Sequence, residues 1–199
     1  MAEPTAIRAA ASLILWRNGP AGPQVLMGQR GRTAAFMPSK YVFPGGAVDA
    51  ADHADSPLAP RCRLALLAHC PPDAPSPEAM VGCARRELAE ETGLSLAEAT
   101  AMRLVFRAIT PPGLPRRFDA RFFLAPALHI LGDPDDFSMA QDELSHLHWI
   151  GLTEARQLDL PFITEIVIAE VAALLDGHDQ PGVPFFDNSG PVPTFRRLG

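Results

Sequence analysis

A chain of 199 residues with 47% apolar composition can bury one sizeable core and hardly two, so a single domain spanning residues 1–199 is expected. Its 17 Lys and Arg against 23 Asp and Glu give a net charge of −6, and the cations form no long run, which argues against nonspecific nucleic-acid or anionic-membrane binding. Cys62, Cys70 and Cys83 show no Cys-x-x-Cys spacing, no segment approaches the ~18 apolar residues of a membrane span, and the short apolar run at 9–16 lacks a basic region and cleavage site, so an unexported protein in a reducing, cytoplasmic setting is expected.

Residues 7–16 are rich in small and aliphatic side chains and read as a strand. The turn cluster Asn18-Gly19-Pro20 to Pro23 precedes a second run at 24–29, which predicts a hairpin. Arg30, Arg32 and Lys40 bracket Phe36-Met37-Pro38 and lead to a short strand, Tyr41-Val42-Phe43, that stops at Pro44-Gly45-Gly46. A strand ending in Gly-Gly lets backbone come close to a ligand or metal. Residues 48–77 are mostly Asp, Ala and Pro, with a helical candidate at 61–69; Asp49, Asp52 and Asp55 lack the Gly and terminal Glu of a calcium loop and read as solvated. Ser76-Pro77-Glu78 then supplies a capping Ser, a Pro at the first helical position and an acid in the first turn, and Gly93 is a natural stop for that helix.

Inside this helix the run Arg85 to Leu94 sets Glu87, Glu90 and Glu91 at i, i+3 and i+4, so the three carboxylates share one arc. Met80, Cys83, Ala84 and Leu88 fall on or beside that arc, whereas Gly82, Arg85, Ala89 and Thr92 fall roughly opposite. The glutamates therefore continue the buried stripe, where like charges need a cation, a hydrogen-bond donor or a proton. Oxygen-only ligands of this kind suit Mg²⁺ or Mn²⁺.

Downstream, 96–101 reads as a helical turn and 102–110 as a strand. The rigid turn Pro111-Pro112-Gly113-Leu114-Pro115 then delivers Arg116-Arg117 and a strand at 118–125. Adjacent arginines at a hairpin tip are usually surface charge; their functional alternative is to receive phosphate, which guanidinium forks match. Asp133 to Asp136 form an acidic turn, and Gln141-Asp142-Glu143 leads into a strand at 144–150 whose His146 and His148 read as structural. A short helix at 153–158 and a longer one at 162–175 follow, closed by Gly177. The Pro/Gly-rich tail, 178–199, offers Phe185, Phe186 and Phe195 for docking.

Arg86-Glu87-Leu88-Ala89-Glu90-Glu91-Thr92-Gly93-Leu94 resembles the second half of the Nudix box, Arg-Glu-apolar-any-Glu-Glu-any-Gly-apolar, at every specified position. Gly45-Gly46 resembles its glycine start, but 39 residues lie between Gly46 and Arg86 where the family pattern has 13, so the chain resembles a box split by an insertion within 47–77. The first acid of the box is then Asp52 or Glu78; each fits one side of the insertion. The segments Phe36-Met37-Pro38, Tyr41 to Gly46 and Ile109 to Asp119 resemble the coenzyme A diphosphatase-like branch of the family.

The resemblance implies an α/β/α sandwich around a mixed sheet and hydrolysis of a diphosphate that links a nucleoside to another group. Glu87, Glu90, Glu91 and the Gly46 carbonyl would hold the divalent ions and Arg86 would orient a box carboxylate, an idea the helical wheel supports because Arg86 stands four residues before Glu90. Glu90 and Glu143 are the candidate general bases. An acidic site repels a multiply anionic diphosphate until divalent cations reverse its charge. If the substrate is coenzyme A, its ribose 3′-phosphate needs cations away from the metals, with Arg30, Arg32, Arg116 and Arg117 as candidates. The alternatives are ADP-ribose, dinucleotides or NTPs as substrates, or a non-catalytic ligand sensor with the same fold. A homodimer is the commonest soluble assembly, but nothing in the sequence marks an interface.

Overall fold

The computed structural model describes residues 5–55 and 57–199; residues 1–4, within the expected domain, and Ser56, within the expected insertion, lie outside the described residues. Strand β1 (Ile7–Gly19) is the spine of the sheet, and its two faces are readable from its alternation. Ala11, Leu13 and Leu15 enter one apolar core while Ile14 enters the other. Over its last residues β1 pairs antiparallel with β2 (Gly22–Arg30), the expected hairpin, with Gly22 at φ +123° in the turn. Nearer its start, Ala10 to Ser12 pair instead with β4 (Gly45–Ala47), while β3 (Tyr41–Val42) stays on β2. The hairpin therefore splits away from the Gly-Gly strand, and that split positions the site.

Helix α1 (Pro60–Leu67) lies in the segment leading to α2 (Pro77–Thr92). Ser76 caps α2 by accepting from the Ala79 N–H at 3.2 Å, and Gly93 ends it at φ +75°. Within residues 96–101 the expected turn is a single one, closed by the Thr100 N–H on the Ala97 carbonyl at 3.0 Å, and it does not extend into a helix. Instead β5 (Ser95–Leu96) pairs with β8 (Ile130–Leu131), since the Ala97 N–H is drawn to the His129 carbonyl at 3.0 Å. Strands β6 (Arg103–Ile109) and β7 (Arg117–Pro126) form the next hairpin, and β7 runs parallel to β1. Strand β9 (Leu144–Gly151) joins the free edge of β2; α3 (Leu152–Ala155) is shorter than expected, and α4 (Phe162–Leu175) follows.

The tail is strand, not merely a docked loop: β10 (Val183–Asp187) pairs with β6 in parallel and with β11 (Thr194–Leu198) antiparallel. The main sheet order is β11-β10-β6-β7-β1-β2-β3, with β4 on β1 and β9 on β2. Helices α1 and α2 contribute to one core and α3 and α4 to the other, giving a mixed sheet between helical layers. Among the described residues, no helix is long and apolar enough to cross a membrane.

Candidate active site

Both flanks of α2 are covered. Met80, Cys83, Ala84 and Leu88 face the sheet as the wheel predicts, but Gly82 and Thr92 are buried too. The preceding segment crosses over Gly82, where a β-carbon would lie 2.4 Å from the His53 nitrogen; Thr92 turns its hydroxyl back to the Leu88 carbonyl at 2.7 Å. The glutamates differ accordingly. Glu91 is 2% exposed, Glu87 is largely covered, and the Glu90 side chain is 41% exposed.

Arg86 holds this end of the helix together. Its guanidinium donates to both carboxylate oxygens of Asp52 at 2.8 and 3.0 Å, to Glu87 at 2.7 Å, to Glu90 at 3.0 Å and to the Ala47 carbonyl at 3.1 Å. Asp52 is thus the partner of Arg86, whereas Glu78 is bound to Arg63 at 2.5 Å. Asp52 is buried and also accepts from the Asp49 N–H at 2.8 Å, which corrects the reading of this acidic stretch as wholly solvated. Burial works to raise the Asp52 carboxyl, but the bonds from Arg86 and Asp49 outweigh it and hold the group below the ordinary range.

The Gly-Gly strand is built into the same corner. Gly45 N–H donates to Glu91 Oε2 at 2.7 Å, and a β-carbon on Gly46 would lie 2.2 Å from Glu87 Oε1. Glycine is needed there for close approach. The Gly46 carbonyl accepts from Cys83 Sγ at 3.5 Å. The other oxygen of Glu91, Oε1, is buried without a protein partner. Burial, with the charges of Glu143 and Glu87 added and only partly offset by the Gly45 N–H, pushes the Glu91 carboxyl up to about 8. Burial also raises Glu87 despite Arg86 beside it.

Of these groups Glu87, Gly45 and Gly46, together with Glu143, line a cavity of about 460 Å³, whereas Glu90 and Glu91 stand outside that lining. Its floor is made of small side chains, Ala10 and Ser12 from β1, Ala108 from β6 and Ala120 from β7, which is why the sheet leaves space here. Two edge-to-face aromatic pairs stand around it, Phe36 with Phe118 at 5.2 Å and Phe162 with Phe186 at 6.2 Å. Glu143, which the sequence offers only as an acid before a strand, is ion-paired with Arg30 at 2.7 Å, and both line the cavity.

The four sequence-nominated arginines separate. Arg30 and Arg116 line the cavity, whereas Arg32 is exposed outside that lining. Arg117 is a correction: it is buried, and its guanidinium donates to the carbonyls of Thr110 and Ser189, both at 3.1 Å. Arg117 opens β7 whereas Arg116 stands in the bend before it, and of the two only Arg116 lines the cavity. Arg8 also lines the cavity. The alternation of Arg8, Ala10 and Ser12 on one face of the first strand was the sequence signal for it.

The donor set fits a hard divalent cation: an orphaned buried carboxylate oxygen on Glu91 and a second carboxylate, Glu87, raised by burial and packed against the bare backbone of Gly46. It is not a closed cage. Among the described residues, no three or more His, Cys, Asp or Glu side chains are already grouped to hold a metal, and Arg86 is ion-paired with both Glu87 and Glu90.

No family model matches the chain. The acyl-coenzyme A diphosphatase NUDT19 of Gallus gallus is 36% identical over 39% of this chain and 26% of its own length. A Caenorhabditis elegans protein carrying the name nudix hydrolase 7 is 30% identical over 72% of this chain and 51% of its own. The chain thus spans about half the length of one curated relative and a quarter of the other. The crystal structure of a NUDIX hydrolase from Alicyclobacillus acidocaldarius superposes with a TM-score of 0.63 at 28% identity, covering 84% of this chain and 92% of that one.

Proposed function

We propose that this chain, which has the Nudix hydrolase fold and homologues named as Nudix hydrolases, is a divalent-metal-dependent diphosphatase acting on a nucleoside diphosphate linked to another group. The observation that carries the reading is the corner where Gly45 and Gly46 meet Glu87 and the half-satisfied Glu91 beside the cavity. Glu87, Glu90, Glu91 and the Gly46 carbonyl would hold Mg²⁺ or Mn²⁺, which supplies positive charge to the diphosphate oxygens and makes water a better nucleophile.

The residues then have distinct work. Glu143 and Glu90 are the candidates to take the proton from the attacking water. Arg30 reaches the cavity next to Glu143, where a guanidinium meets phosphate oxygens. Arg86, anchored by Asp52, fixes Glu90 relative to Glu87. The aromatic walls exclude bulk water and accept the apolar faces of the substrate.

The best-supported substrate is coenzyme A or an acyl derivative, cleaved to 3′,5′-ADP and 4′-phosphopantetheine or its acyl form. Its support is the name of the chicken relative, an acyl-coenzyme A diphosphatase, and the resemblance of residues 36–46 and 109–119 to that branch. The test is to incubate the protein with Mn²⁺ or Mg²⁺ and coenzyme A, dephospho-coenzyme A, ADP-ribose, dinucleotides and NTPs, and to resolve the products chromatographically. Preference for coenzyme A is expected; preference for a compound lacking the 3′-phosphate would move the assignment elsewhere among diphosphate substrates.

A further inference from the structure

Residues Arg8, Ala10 and Ser12 of β1 and Arg116, Phe118 and Ala120 around β7 all line the cavity, and the parallel register sets Arg8 beside Phe118. Arg116 lies two residues before Phe118, in the bend just ahead of β7, and lines the same cavity as Arg8. The opposite face at this level carries Arg117, which is buried and satisfied by carbonyls. Arg8 and Arg116 are both exposed, and among the described residues neither forms an ion pair.

The level of Arg8 relative to Gly46 can be read along β1. Gly46, whose missing side chain makes room for Glu87, is in register with Ala11. Arg8 is three residues earlier on β1, a backbone spacing of about 10 Å at ~3.3 Å per residue, and by alternation its side chain lies on the face opposite that of Ala11. The cavity lining therefore combines carboxylates and glycine backbone, a floor of small residues, two aromatic pairs, and two guanidinium groups that have no acidic partner among the described residues.

We infer that Arg8 and Arg116 form a second anion-recognition subsite, taking a phosphate monoester carried on the part of the substrate remote from the scissile diphosphate. The inference rests on the diphosphatase reading for where the scissile group lies, but the subsite is a binding property that needs no turnover. Two guanidinium groups on one phosphate form charge-assisted bonds, so about tenfold or more in affinity should depend on the pair.

The test uses matched ligands. Binding of 3′,5′-ADP and 5′-AMP to the full chain is measured by calorimetry for the wild type, R8Q, R116Q and the double variant. Expected is a wild-type preference of about tenfold or more for the bisphosphate, reduced in each single variant and absent in the double variant. Equal wild-type affinities, or a preference that survives in the double variant, would overturn the subsite. In parallel, kcat and KM are measured on coenzyme A and dephospho-coenzyme A. Loss of selectivity should appear in KM for the phosphorylated member. An equal loss on both substrates also counts against the subsite, and a wild type that binds selectively yet cleaves neither keeps the subsite while rejecting the diphosphatase reading.

Discussion

At the residue scale, Gly46 makes a sharp prediction. A β-carbon there would lie 2.2 Å from Glu87 Oε1, the far end of a flexible side chain, so Gly46→Ala should displace the carboxylate rather than the backbone. Displacement of a metal-site group by about 1 Å can cost about a hundredfold in rate. The expected outcome is a kcat reduced on that order with urea unfolding nearly unchanged; full activity in G46A would remove Gly46 and Glu87 from the site. Replacing Glu90 by Gln likewise removes a ligand charge at nearly constant shape and should nearly abolish Mg²⁺- or Mn²⁺-dependent turnover. Substantial retained activity would exclude Glu90 as an essential ligand or base. Helical spacing made the glutamate arc and the Arg86 to Glu90 contact legible. It could not choose between Asp52 and Glu78, because that choice depends on how the segment crosses α2 to bring Asp52 to Arg86.

Strand alternation explains what was gained and lost at the scale of elements. The faces of β1, β6 and β7 were implicit in their period-two patterns, yet a hairpin-tip reading of Arg116 and Arg117 treated neighbours as equivalent. On the face away from the cavity, β7 places Asp119 between Arg107 and Arg121, with contacts of 2.7 and 3.0 Å, and both arginines are only 1% exposed. Arg107 also reaches the Ala68 carbonyl at 2.6 Å and stacks over Phe185, 4.4 Å from the ring centroid, so the cluster ties the segment after α1 and strand β10 to the sheet. Asp119→Ala would leave two buried cations uncompensated and should cost about 3–5 kcal/mol in denaturant unfolding. A cost below about 1 kcal/mol would show that water reaches the pair. The strands of the tail were hidden by its prolines and glycines. Phe185 and Phe186 signalled docking, but pairing with β6 is a long-range contact that local composition does not encode.

For the whole molecule, the acidic corner couples stability, pH and cation binding. Glu91 is buried with one oxygen unpaired, and its carboxyl is pushed from the usual 4.5 to about 8. A folded-state pKa above the unfolded one means that the native state binds the extra proton. The contribution is fully present below the unfolded value and is lost as pH rises through the folded value. Without divalent ions, Glu91 should therefore make the protein less stable between about pH 4.5 and pH 8, by an amount on the order of a few kcal/mol. Cation binding reverses the preference, because a carboxylate ligand must surrender its proton and affinity rises with pH. At a hundredfold excess over Kd, selective binding to the native state adds about 2.7 kcal/mol, roughly 5–10 °C for a chain of this size. Melting curves in EDTA and in millimolar Mg²⁺ or Mn²⁺ should consequently diverge as pH rises, and Glu91→Gln should flatten the pH dependence in EDTA and shrink the divergence. Parallel wild-type curves at about pH 5 and about pH 8, with no gain from either ion, would place the cation elsewhere and leave the burial of Glu91 with a structural purpose alone.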